Sequence, residues 1–330
     1  MVSKYKLASK SSMKHSIIKN KNIGKLIALM FYLVLGLFLY QAATKINYTW
    51  KWDMIPKYFI YKEKIPLISP CNGVLEIKKD IAIIKCENKK AETFNIKDFK
   101  LEFKNGDFLY ENDEFAYKTV LKPGPFLVGL WVTIKISIIS MFIAFLIGLI
   151  IAIMRLSNIP ALDYIGSIYI TVIRGTPLLV QLFIFYFIIA TIFNLPRFWA
   201  GVLSLSIFYG SYIAEILRGA IQSVDKGQHE AAYSLGFNSL KKMKLIILPQ
   251  ALRKALPALI GELISLIKDS SLVSIISITD LTKVGREIVA NTFSPFETWI
   301  TVAILYLTLT SILSFIGHKL EKRMKSKGGI

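Results

Sequence analysis

Several features that an enzyme or a soluble domain would need are missing from this chain of 330 residues. No stretch reads GxxxxGK[ST], so the chain lacks the phosphate-cradling loop through which many proteins bind and hydrolyse ATP. Three histidines and two cysteines are too few and too scattered for a metal site or a catalytic triad, and no cofactor is implied. Acidic residues are scarce, 22 against 41 Lys and Arg, which leaves a net charge of +19. That excess does not point to nucleic acid, because the lysines gather at the ends of apolar runs instead of forming one basic surface. There is no internal repeat. Nor are there successive short segments of alternating polarity, as a membrane β-barrel requires.

What the chain has in quantity is apolar sequence: 54% of residues are hydrophobic and the mean hydropathy is +0.50. Runs of about 18 residues or more, nearly free of charge, can each cross hydrocarbon about 30 Å thick as a helix. Lipid offers the backbone no hydrogen-bond partners, so such runs must be helical. The expected class is an all-α polytopic membrane protein whose lipid-facing partner is the bilayer.

Residues 1–25 carry Lys4, Lys6, Lys10, Lys14, Lys19, Lys21 and Lys25 and no acid, a cytoplasmic flank under the positive-inside rule. The first apolar run, 26–43, follows. Its long basic leader and the poor cleavage site "YQAATK" favour an uncleaved anchor over a signal peptide. Tyr48, Trp50 and Trp52 suit the aromatic belt at the outer interface. Residues 44–122 change character: "GVLEIKKDIAIIKCE" and "FKLEFKNGDFLYE" read as strands, with a hairpin signal at Asn105-Gly106. A small β-rich domain outside the membrane is expected. Cys71 and Cys86 both lie in it, and an exported compartment favours a disulfide over two independent thiols.

From 123 to 318 the apolar runs recur. A long one, Phe126–Met154, ends at the basic "RLSN". Lys135 lies near its outer end and is expected to snorkel to the interface. The stretch Pro160–Phe193 is too long for one span and is interrupted by "RGTP". We expect an approach helix, then a span of about 27 Å over Thr176–Phe193. Arg174 is expected at the inner boundary as an anchor. Phe198–Leu217 returns inward, a run from Pro257 to Ile278 goes out, and Trp299–Ile316 closes, giving six membrane helices with both termini cytoplasmic. A basic tail occupies 319–330.

The inner loop 218–254 is regular for a loop. Lys226–Leu235 favours a helix, Gly236 suits a left-handed C-cap, and Asn238 or Ser239 can cap a second amphipathic helix before Pro249 resets the backbone. By composition it is either a compact docking knob or a hairpin lying on the inner leaflet.

Here the residues carry a resemblance. Glu230-Ala231-Ala232, then Gly236, then Ile246, Leu248 and Pro249 match the EAA loop of bacterial ATP-binding-cassette (ABC) importer permeases at full spacing. The stretches "YGSYIAEILRGAIQSVDKGQHEAAYSLGF", "RGTPLLVQLFIFYF" and "LIKDSSLVSIISITDLT" resemble the polar amino acid branch of that family. The resemblance spans about Pro125–Lys322 and does not cover residues 1–124. It implies a type I ABC importer permease-like core of five helices in a bacterial inner membrane. To that core this chain adds an N-terminal helix and a β-rich extracytoplasmic insertion.

The implied partners are an ABC ATPase dimer underneath, a second permease copy or paralogue, an extracytoplasmic solute-binding protein and an amino acid substrate. Glu230 is expected to hold the knob by a salt bridge or capping contact, Ala231 and Ala232 to let the knob lie close against a partner, and Gly236 to allow the bend.

For the pathway the best candidates are Lys268, Asp269, Ser270 and Ser271, with Glu262 one heptad earlier and Gln181 as a weaker lining residue. Lys268, about 16 Å into a run counted from Pro257, is either a contact for a substrate carboxylate or part of a fixed Lys–acid network. Tyr212 and Glu215 are expected to brace the docking loop. Two other classes compete: an ion-coupled secondary transporter or channel, and an anchored sensor whose β-domain is its working end.

Overall fold

A computed structural model of the chain describes residues 21–45, 48–87 and 89–326. The basic leader at 1–20 and the last residues of the tail, 327–330, lie outside the described residues. The chain divides into two units, Met1–Lys51 and Trp52–Ile330. The boundary between them falls inside the β-rich segment expected as 44–122: its first residues go with the first unit, and the rest belongs to the second. In the first unit, α1 (Lys21–Thr44) is a 24-residue apolar helix whose described side chains are exposed, apart from the half-buried Ile23.

The second unit opens with a 3-10 turn, Trp52–Tyr58, and a domain of seven strands. These are β1 (Ile60–Ile68), β2 (Gly73–Lys78), β3 (Ile81–Cys86), β4 (Glu92–Asn95), β5 (Lys100–Leu101), β6 (Phe108–Leu109) and β7 (Glu114–Pro123). They form two sheets, ordered β1-β7-β5 and β4-β3-β2-β6. Leu75, Ala82, Ile84, Leu109 and Phe115 are fully buried between them.

The expected hairpin at Asn105-Gly106 is a turn without a hairpin. Gly106 takes positive φ, but β5 pairs with β7 and β6 with β2. The reason is local: the Asn105 side chain accepts from the Ile77 amide at 2.6 Å and the Gly106 amide donates to Leu75 O, tying the turn to β2. The hairpin is instead β2–β3, turning at Lys79, whose φ is 52°. Cys71 and Cys86 are joined by a disulfide at a Cα separation of 5.7 Å, closing the open end of that hairpin.

β7 runs into α2 (Pro125–Arg155) across Gly124 alone. Then come α3 (Pro160–Gly175) and α4 (Leu178–Ile184), which continues through a π turn to Ile192. The axes on either side of Thr176-Pro177 differ by 105°, so the "RGTP" interruption is a real break between an approach helix and a span. α5 (Arg197–Gln222), the short α6 (Lys226–Ser234) and α7 (Ser239–Lys242), then α8 (Leu248–Asp269), α9 (Leu281–Thr292) and α10 (Pro295–Ser326) complete the unit.

Among the described residues four helices are long and apolar enough to cross a membrane, five with the bent pair. The sequence reading gave six. The missing one is α8, which carries Arg253, Lys254, Glu262, Lys268 and Asp269 along 22 residues. It also starts nine residues before Pro257, which lies inside it, and ends in a 3-10 segment, Ser270–Ile276.

The centre of the bundle is α2 against α5. One face of α2 buries Gly129, Thr133, Ser137, Ser140, Ala144, Gly148 and Ala152, small residues three or four apart that let the helices approach closely. A Cβ at Gly148 would meet Ile213 Cγ2 at 2.6 Å. Ser206 Oγ donates to Ser140 O at 3.2 Å, and Ser140 Oγ to Val202 O at 3.3 Å.

Candidate functional site

The loop between α5 and α8 is a folded elbow. Asp225 caps α6, accepting from the Gly227 amide at 2.7 Å. At the other end Gly236 has φ of +76°, its amide donates to Tyr233 O and the Phe237 amide to Ala232 O. These two bonds form a Schellman turn, which satisfies helix-end carbonyls and demands a residue at ease with positive φ. Asn238 then caps α7, accepting from the Lys241 amide at 2.8 Å. Ala232 is fully buried, whereas Ala231 faces solvent.

Two expectations for the elbow need correction. Glu230 is exposed and, among the described residues, forms no ion pair; its backbone carbonyl accepts from Ser234 Oγ. Pro249 does not reset the chain. It sits in the first turn of α8, and Met243–Ile247 forms a π turn that carries helical backbone straight into it. A π turn holds one extra residue per hydrogen-bonded loop, and so absorbs a proline that would otherwise end the helix.

Around the bend the surface is apolar: Leu235 and Leu240 are 73% and 74% exposed, and Tyr233 and Leu245 are also exposed. Lys242 stands over the Tyr233 ring at 3.9 Å, and its hydrogen bond holds the phenol below its usual pKa.

The second group of candidates gathers at the far end of α8. Lys268 lies in the last turn of that helix, not midway, because α8 begins at Leu248. It is exposed and, among the described residues, has no ion-pair partner, so the expected Lys–acid network is not formed. Asp269 accepts instead from Tyr209 Oη on α5 at 2.6 Å. Glu262 is half-buried, within electrostatic reach of Asp269 and Arg174.

Ser270 is fully buried and donates to Ile267 O at 2.8 Å, serving the helix end; Ser271 is half-buried. Gln181 is also a scaffold group here. Its amide donates to Ile173 O at 2.7 Å and Thr176 Oγ1 at 2.7 Å, holding the break between α3 and α4.

Arg174 stacks on the Tyr212 ring at 4.5 Å, and Glu215 pairs with Arg218 at 2.7 Å on its own helix, so neither Tyr212 nor Glu215 braces the elbow. Sequence reasoning missed Tyr209, although its spacing from Tyr212 puts both on one helix face.

The bundle thus carries a capped elbow with leucines on its surface, and the sequence has no GxxxxGK[ST] motif. The chain belongs to the family described as binding-protein-dependent transport system inner membrane component, whose model matches residues 123–326.

It is 38% identical over 205 residues to the arginine transport system permease protein ArtQ of Bacillus subtilis, covering 61% of this chain and 94% of that one. It is 38% identical over 216 residues to the glutamine transport system permease protein GlnP of Escherichia coli K12, covering 64% and 99%. Among solved structures, an amino acid ABC transporter matches with a TM-score of 0.56 and 42% identity, over 60% of this chain and 94% of that one. The inward-facing MetNI methionine ABC transporter shares the fold at 20% identity and a TM-score of 0.55.

The protein is thus a multi-pass inner-membrane permease subunit of an ABC importer. ATP hydrolysis falls to a separate subunit, and a solute-binding protein is a partner. The secondary-transporter, channel and sensor readings fall away with that membership.

Proposed function

We propose that this permease imports a polar amino acid, pairing with a second copy of itself or a paralogue and seating its elbow in a cleft of the ATPase dimer. Both termini are cytoplasmic in this reading. The observation that carries it is the exposed apolar rim of Leu235, Leu240, Leu245 and Tyr233 around a fully capped bend, at the EAA match. A loop lying free in water has no reason to fix its backbone and leave leucines outside; a socket for a partner has both. The relatives named for arginine and glutamine transport support the substrate class.

Lys268, Asp269, Glu262 and Ser271 are the groups we assign to the pathway. An exposed ammonium at Lys268 and carboxylates at Asp269 and Glu262 on the same helix suit a zwitterion, whose two charged ends need opposite partners. Closure of the ATPases would draw two elbows together and tilt the helices that continue from them, α5 and α8.

The test is to purify the native complex, identify its subunits and measure ATP-driven uptake of labelled arginine, glutamine and cystine into vesicles. A stoichiometric ATPase and vanadate-sensitive uptake of one of these is the expected result. Uptake driven by an ion gradient without nucleotide would refute it.

A further inference from the structure

The insertion that precedes the family-matched region is not a tethered module; it is packed into the outer end of the bundle. The 3-10 turn Trp52–Tyr58 buries Ile55 in a cluster with Phe126 of α2, Leu281, Val284 and Ile288 of α9, and Val302 of α10. Phe126 is fully buried, with the Tyr58 and Phe59 rings at 6.2 and 5.3 Å from its own. The Gly124 amide donates to Phe59 O at 2.6 Å, and β1 pairs with β7 from Ile60↔Pro123 upward, so the strands stand directly on the helix end.

Beneath this wedge, α9 is held to α2 by close contact and by one polar tie. A Cβ at Gly129 would meet Val284 Cγ2 at 2.8 Å, and the Leu281 amide donates to Thr133 Oγ1 at 3.1 Å. α9 in turn holds the segment that follows Lys268 and Asp269. Arg286 Nη2 donates to Ser274 O at 2.6 Å, and Lys283 Nζ to Ser277 O at 3.3 Å and Thr279 Oγ1 at 3.2 Å. Ser277 has φ of 63°, a conformation that a serine keeps only when its surroundings fix it.

We propose that Ile55, Tyr58 and Phe59 are positioning residues for transport: through α9 they set the 3-10 segment Ser270–Ile276 and, with it, the charged end of α8. The extra domain is then a permanent part of the outer mouth in this permease, not a lid that lifts. The reach from Ile55 to Asp269 consists of packed side chains and hydrogen bonds throughout, the kind of contiguous path along which position is transmitted. The uptake readout rests on the pathway assigned under Proposed function; the exchange and cross-linking readouts do not.

The experiment uses the full chain in its complex. In Ile55→Ala, amide exchange over 270–292 should quicken roughly tenfold while the β2–β3 hairpin exchanges as before. The uptake KM should rise by roughly fivefold with basal ATP hydrolysis unchanged, and Ile55→Val should restore it. Unchanged exchange over 270–292 overturns the proposal, whatever uptake does.

A second variant, Ile55→Cys with Val284→Cys, tests permanence. The native cysteines are already joined, so the new pair can be bridged selectively. Bridged protein that turns over ATP with its usual stimulation by transport partners supports a fixed wedge. Bridged protein that is locked shows that the insertion parts from α9 during the cycle, and overturns it.

Discussion

Gly236 is the position where a single side chain is most informative. No neighbouring atom lies within 4 Å of a Cβ there, so the constraint is conformational: φ of +76° is open to glycine and strained for most other residues. Gly236→Asp should therefore leave the permease in the membrane but misdirect the elbow. The expected outcome is ATP hydrolysis no longer stimulated by transport and uptake reduced by roughly tenfold or more, read in vesicles. Normal transport by that variant would count against the socket.

Lys268, exposed at the end of α8, answers a different question. Lys268→Met keeps most of the length of the side chain and removes its charge. If the ammonium meets a substrate carboxylate, the uptake KM should rise by about tenfold, the order of one charge-assisted hydrogen bond. Unaltered uptake kinetics would take it off the pathway.

The α2–α5 contact is closely packed. Gly148→Val places its Cβ within 2.6 Å of Ile213 before the branch is added, with no flexible neighbour to yield. Overpacking of this kind costs about 1–3 kcal/mol, so the melting temperature of the detergent-solubilised protein should fall measurably. An unchanged melting profile would mean that the helices can separate there.

The small-residue stripe of α2 was not read from the sequence, whereas the broken span and the bend of the elbow were legible in it. Glycine and proline mark each through a restriction they impose locally. The start of α8 was not legible, because a proline reads as a stop unless a π turn beside it makes room. Nor was the Tyr209–Asp269 tie, which joins positions 60 residues apart. The Asn105-Gly106 turn shows the same limit: the dipeptide fixed the turn, and tertiary pairing decided which strands it joined.

The permease unit joins a soluble-type β-domain to a membrane bundle, and the two are stabilised differently. The β-domain is small, and the Cys71–Cys86 bond with its separation of 15 residues is its cross-link. Opening such a loop costs about 3 kcal/mol by chain entropy. Cys71→Ser with Cys86→Ser should leave the bundle intact yet make the segment between Trp52 and Pro123 sensitive to protease added outside. Persistent resistance would show that the apolar core between the sheets suffices alone.

The π turn at Met243–Ile247 has a reach well beyond its five residues. A residue gained or lost in a regular helix turns everything beyond it by about 100° around the axis, and the wider π turn takes one residue up. The elbow's apolar rim is thus clocked against α8 by a single amino acid, and an ATPase cleft that seats the rim, as proposed above, would read the phase as well as the chemistry. Two permeases with the same elbow sequence but a different count of residues at this bend would face their motors at different angles, and could not exchange them.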